Sequence, residues 1–205
     1  MARAFLLSPA YCGGRRAAML LKPGSTIALA QRLAAGTLTL GEAFSFLSGL
    51  YFRGKLTYAT AFDPAAICTF VITPTRGLRP PSMPVDADVL REFASVDVSA
   101  DDPRYREPLE RDVAALAAQL GEDACVVLLG SVATGKYVDV LAGTLGDRLH
   151  YPTSFIGRGD MSRGGLLLRS ARAAAELDYA VLDPRARRRG PRPPKLEPLM
   201  TRRAG

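Results

Sequence analysis

The 205-residue sequence contains no tryptophan, a single histidine and only three cysteines. Cys12, Cys68 and Cys125 are far apart and form no Cys-x-x-Cys pair. That spacing excludes an ordinary zinc site and a disulfide framework, and the thiols read as free groups in a reducing compartment. His150 stands alone, and no serine occupies a Gly-x-Ser-x-Gly elbow, which argues against a Ser-His-Asp triad. No apolar run approaches the roughly 20 residues that a membrane span needs. The short apolar run at 4–10 is at the lower limit for a secretion-signal core. It reads instead as a strand, and the protein as cytoplasmic. Lysine is scarce as well, supplying four of the 27 basic residues. With abundant alanine, this resembles the coding bias of a GC-rich genome, so an arginine cluster alone is a weak functional signal.

The formal net charge is +7, but it is unevenly placed. Eight of the 27 basic residues and one of the 20 acidic residues fall within 184–205, and the first 183 residues are therefore neutral. The expectation is one α/β domain over 1–183 and a basic, Pro/Arg-rich tail over 184–205. A segment with so few large apolar groups cannot offset its ordering entropy and is expected to be flexible.

Strand and helix signals alternate along the first 183 residues. Apolar runs at 4–9, 67–73 and 124–129 read as buried strands, and 149–156 and 179–182 as weaker ones. Helical patterns occupy about 25–35, 39–62 with an interruption near Ser48-Gly49, 108–120, 134–145 and 166–176. The proline-rich stretch 79–84 reads as an ordered crossover or lid. Alternation of this kind implies βαβ units, hence a three-layer Rossmann-like fold around a mainly parallel sheet of about four to five strands.

Ligands of such sheets bind beyond the carboxyl ends of the strands, so the loops there carry the candidates. They hold Cys12, Gly13, Gly14, Arg15 and Arg16; Arg76 and Gly77; Gly130, Ser131, Thr134 and Lys136; and Arg158, Gly159, Asp160, Ser162 and Arg163. Glycine lets consecutive N–H groups face an anion, helix N-termini add partial positive charge, and arginine adds paired donors. The four loops therefore suggest a phosphate or carboxylate cradle. Arg53 and Lys55 lie beside Tyr51 and Tyr58, a mixture suited to a nucleobase and its phosphate.

Residues 130–136 resemble the phosphate-binding loop of nucleoside triphosphatases, Gly-x-x-x-x-Gly-Lys. Tyr137, however, stands where that motif has the magnesium-binding Ser or Thr, which leaves an ordinary anion site at a helix start. Asp160, flanked by Arg158 and Arg163, is the favoured acid/base carboxylate. Cys12, followed by Gly-Gly-Arg-Arg, is a second catalytic candidate, its thiol expected to be acidified by those cations.

Together these features suggest a hydrolase or transferase, independent of metal or cofactor, that acts on a nucleotide, nucleoside or nucleic acid at a glycosidic or phosphoryl centre. Two alternatives stay open: a non-catalytic nucleic-acid-binding accessory protein whose tail supplies salt-dependent affinity, and a degenerate phosphate-loop nucleotide binder. The expected partner is a phosphate-bearing small molecule or nucleic acid rather than a membrane, and a homodimer stays open.

Overall fold

A computed structural model describes residues 3–63, 65, 67–133, 135–183, 190–194 and 196. The chain begins with β1 (Arg3–Leu7), α1 (Arg15–Leu21), α2 (Ala28–Ala34), β2 (Leu38–Thr39), α3 (Leu40–Ser48) and α4 (Leu50–Phe62). Then come β3 (Thr69–Ile72), β4 (Leu78–Arg79), β5 (Pro84–Val85), α5 (Ala87–Ala94) and α6 (Pro103–Gln119). The last elements are β6 (Cys125–Leu129), α7 (Gly135–Leu145), β7 (Leu149–Pro152), α8 (Asp160–Arg172) and β8 (Tyr179–Val181).

The fold class is α/β, with a mixed, mostly parallel six-stranded sheet in the order β4-β3-β1-β6-β7-β8. Strands β3, β1, β6 and β7 run parallel, and β4 and β8 close the edges antiparallel. The centre is built from the continuous apolar runs, Phe5 lying opposite Thr69 on one side and Val127 on the other. Strand alternation sends Phe5, Leu7, Val71, Val127 and Leu129 into one apolar cluster, with Phe44, Phe52 and Phe93 of the helices. Ala4, Leu6, Ile72, Val126 and Leu128 enter a second, with Tyr105, Leu109 and Leu141 of α6 and α7.

Three local features hold the helices near the sheet's carboxyl edge. A capping box starts α3, Thr39 Oγ1 accepting from the Glu42 amide at 3.3 Å while the Glu42 carboxylate accepts from the Thr39 amide at 3.0 Å. Gly49, at φ +65°, ends α3 and starts α4, the break expected there; a side chain at this position would strike the Arg16 guanidinium. Helices α4 and α8 cross at Gly54 and Gly164, where a Cβ on Gly54 would lie 2.6 Å from the Gly164 carbonyl oxygen.

The chain departs from expectation at its least apolar stretches. The sheet has six strands rather than four or five, because the two residues of β4 pair with β3. Proline-rich 79–84 takes the crossover half of its expected reading, leading from β4 into β5, which pairs antiparallel with β2. Helix α6 starts at Pro103, capped by Asp102, and α8 starts at Asp160 within the glycine-rich segment. Of the tail, residues 190–194 and 196 are described, and the Arg158 guanidinium donates to the Pro194 carbonyl at 3.3 Å. No described helix is long and apolar enough to cross a membrane.

Candidate functional site

The strand order reverses beside β1: the chain moves from β1 to β3 on one side and continues through β6 and β7 on the other. The loops leaving β1 and β6 diverge at such a point and open a crevice beyond the carboxyl ends of the strands. A cleft of about 750 Å³ lies there, within the size range of small-molecule sites. Ser8 to Cys12 and Gly14 to Ala17 form one wall, Ser131, Lys136 and Tyr137 another, and Tyr51 and Asp160 face them from α4 and α8. Leu47, Ser48, Pro74, Phe93 and Val96 to Val98 complete the lining.

The floor is built around a buried amine. Lys55 is 1% exposed, and its Nζ donates to the Ser8 carbonyl oxygen at 2.5 Å and reaches Ser8 Oγ at 2.8 Å. The ammonium also sits over the rings of Tyr51, at 4.4 Å, and Phe52, at 4.8 Å. Burial holds Lys55 down to about 7; Asp160 partly opposes that shift, whereas Lys136 and Arg163 reinforce it. Ser8 is itself only 3% exposed but borders the cleft. Gly130 leaves room for it, since a Cβ there would lie 3.0 Å from the Ser8 Cβ and 3.3 Å from its Oγ. The Tyr137 phenol lies near Ser8 on the α7 side, and burial raises its pKa above the ordinary value, so the phenol stays neutral. Tyr51 has a buried hydroxyl with no hydrogen-bond partner among the described residues, although Arg163 is close by.

The rim carries cations. Arg15 and Arg16 begin α1 and Lys136 the first turn of α7. The Arg16 Nη1 donates to the Phe46 carbonyl at 2.9 Å, which fixes the guanidinium against α3. Tyr11, 74% exposed, stands over Gly13 and Gly14 at the mouth.

Of the residues expected from the sequence, Cys12, Gly14, Arg15, Arg16, Ser131, Lys136 and Asp160 line this one cleft, with Gly13 and Gly130 beside it. Thr134 lies outside the described residues. Cys12 departs from the expectation of an acidified thiol: it is buried, its Sγ lies 3.6 Å from the Ala10 carbonyl, and burial pushes its pKa up to about 12. Arg76 is held by Glu92 at 2.5 Å, and Gly77 turns at φ +64° against Pro108 and Asp112, so this loop is a paired corner. Arg53 is exposed and lies outside the lining, whereas Lys55, two residues on, is buried beneath it.

The 157–165 segment divides its roles. Asp160 reaches the cleft with a side chain 69% exposed. Arg163 is buried, donating to the Phe155 carbonyl at 3.2 Å and lying 3.5 Å from the Asp160 carboxylate. Arg158 donates to the Ser154 carbonyl at 3.0 Å and to the Ser162 hydroxyl at 3.1 Å, and Gly159 precedes the first helical turn. Arg158, Gly159, Ser162 and Arg163 thus organise the start of α8, and none lines the cleft.

Ser8 and Tyr137 are the site residues without a sequence signal of function, whereas Tyr51 is already expected as an aromatic beside Arg53 and Lys55. Ser8 follows an apolar strand as any loop residue would, and Tyr137 shows in the sequence only as the residue that replaces the hydroxyl of the phosphate-loop motif. Comparison with protein-family models, with curated proteins and with solved structures finds no match.

Proposed function

We propose that this chain is a cytoplasmic enzyme that processes a phosphate-bearing, nucleotide-like substrate, on a three-layer Rossmann-like domain, at a glycosidic or phosphoryl centre. The observation that carries the reading is the cleft at the strand-order reversal, with Arg15, Arg16 and Lys136 around its rim and Tyr11 exposed at its mouth. Three cations around one crevice offer charge and directed N–H donors to phosphate oxygens. An exposed aromatic beside them offers a face on which a base can stack. The unbonded Tyr51 hydroxyl supports a polar ligand group at the back wall. Asp160 is an exposed carboxylate on the same cleft, placed to handle a proton or a developing positive charge.

The test is thermal unfolding of the full chain, and of a chain ending at Asp183, against nucleotides, nucleosides and short DNA and RNA strands. A ligand at about 100 times its Kd stabilises the folded state by roughly 2.7 kcal/mol. The reading expects a shift with nucleotides that survives truncation and is lost in a chain carrying Arg15→Ala and Lys136→Ala. A shift seen only with strands, and only with residues 184–205 present, would replace it with a nucleic-acid-binding protein acting through its tail.

A further inference from the structure

On the reading that the cleft holds a phosphate-bearing ligand, we propose that Ser8 is a covalent nucleophile and Lys55 its general base, and that the chain hydrolyses phosphodiesters through a seryl intermediate. The juxtaposition that carries this is a hydroxyl at the cleft floor, 2.8 Å from an amine whose described hydrogen bonds both go to that same serine. A serine hydroxyl is a weak nucleophile until a neighbouring base takes its proton, and base and hydroxyl must lie within hydrogen-bond reach.

Both groups are held rigidly. The Ser8 amide donates to the Leu129 carbonyl at 3.2 Å, and its own carbonyl accepts from Lys55 at 2.5 Å, so the serine is pinned between β6 and α4. Gly130 supplies the space that Oγ needs. Lys55 is shut off from water beneath the cleft, and that burial favours a free amine with a lone pair. The ionisable groups facing it from neighbouring elements are Asp160 and Arg163 of α8 and Lys136 of α7. Burial, the largest influence, and the two cations oppose the ammonium and only Asp160 favours it, leaving the amine to titrate near neutral pH.

In the reaction, Ser8 Oγ forms a bond to phosphorus as its proton passes to Lys55 Nζ. The bond from phosphorus to the leaving alcohol's oxygen breaks, and that oxygen takes the proton from Nζ. Water then attacks the seryl phosphodiester, giving its proton to Nζ, and the Ser8 oxygen leaves and recovers that proton. The sum is diester plus water giving monoester plus alcohol, with no redox change. Arg15, Arg16 and Lys136 face the non-bridging oxygens, and a diester's single negative charge needs no denser set of cations. The neutral Tyr137 phenol borders the cleft near Ser8 from the α7 side.

The experiment treats the full chain with a fluorophosphonate and locates the adduct by peptide mass spectrometry, while hydrolysis of bis(4-nitrophenyl) phosphate is followed in parallel. The expected result is an adduct on Ser8, with label and turnover both absent in Ser8→Ala. Labelling should slow by about 100-fold or more in Lys55→Met, the loss of a general base. In the unsubstituted chain the labelling rate should rise with pH through neutrality, a readout that does not depend on how any variant folds. No adduct on Ser8, or a labelling rate that is flat with pH and unchanged in Lys55→Met, would overturn the dyad. Nucleotide-induced stabilisation measured on the same samples separates the two readings. Stabilisation without labelling removes the dyad and keeps the ligand class, whereas labelling without stabilisation keeps the dyad and removes the nucleotide.

Discussion

In the loop after β3 and on β4, both arginines meet an acid: Arg76 pairs with Glu92 at 2.5 Å and Arg79 with Asp112 at 2.9 Å. Asp112 also accepts from the Leu78 amide at 3.0 Å, so the charges there serve to fasten the β4 edge. In the cleft between β1 and β6, Lys55 is more deeply buried than either arginine, yet its described hydrogen bonds go to a serine and not to a carboxylate. The two regions lie along one sheet edge and use similar residue types. At the β4 edge the cations carry their own carboxylates, whereas the buried amine of the cleft carries none in its described hydrogen bonds and titrates near neutral pH.

The largest break in that comparison should come at Lys55. Its pKa in the folded chain, about 7, lies below its ordinary 10.5, so between those values the unfolded chain binds more protons. Stability should therefore rise with pH across that window, by at most about 1.4 kcal/mol per pH unit, and stay at its lower level below it. Urea unfolding at several pH values checks this, and Lys55→Met should flatten the slope. Removing Arg79 or Arg76 should leave it intact.

Next come the rim cations. Lys136→Ala or Arg15→Ala should each weaken nucleotide binding by about tenfold while moving stability by no more than about 0.5 kcal/mol, as surface substitutions do. Titration calorimetry beside thermal unfolding separates the two quantities. Arg76→Ala should show the reverse, with unchanged affinity and a loss of about 1 kcal/mol or less, because its ion pair is more than a third exposed.

The smallest effect belongs to the cap of α3. Arg32, with the Thr39 amide, holds the Glu42 carboxyl down to about 2 against an ordinary 4.5. That contribution is present above about 4.5 and lost as pH falls through 2. At this exposed site it should amount to about 0.5 kcal/mol. Comparing acid unfolding of the unsubstituted chain with that of Arg32→Ala reads it directly.

The same contrast explains what was legible in the sequence. Strands β1, β3 and β6 were visible because a strand covered on both faces is apolar without interruption. The two-residue ladders β2, β4 and β5 were not, because pairing partners, not composition, define them. The glycines of 157–165 pointed to a loop, yet Gly164 lies inside α8 because α4 approaches too closely for any side chain. Lys55 and Arg53 look alike in sequence, but residues two apart on a helix face different ways, and one is buried while the other is exposed. Its true partner, Ser8, lies 47 residues away in sequence, and only the packing of α4 against the end of β1 brings them together. The cleft's wall loops could thus be read from glycine and arginine, and its floor could not.

The most direct test of the cleft as a ligand site is amide hydrogen exchange, followed by mass spectrometry, with and without a nucleotide that stabilises the full chain. Slowed exchange in 8–17 and 130–138, with 73–79 unchanged, is the predicted result. Protection confined to 73–79 or to the tail, or none in the loops leaving β1 and β6, would contradict it.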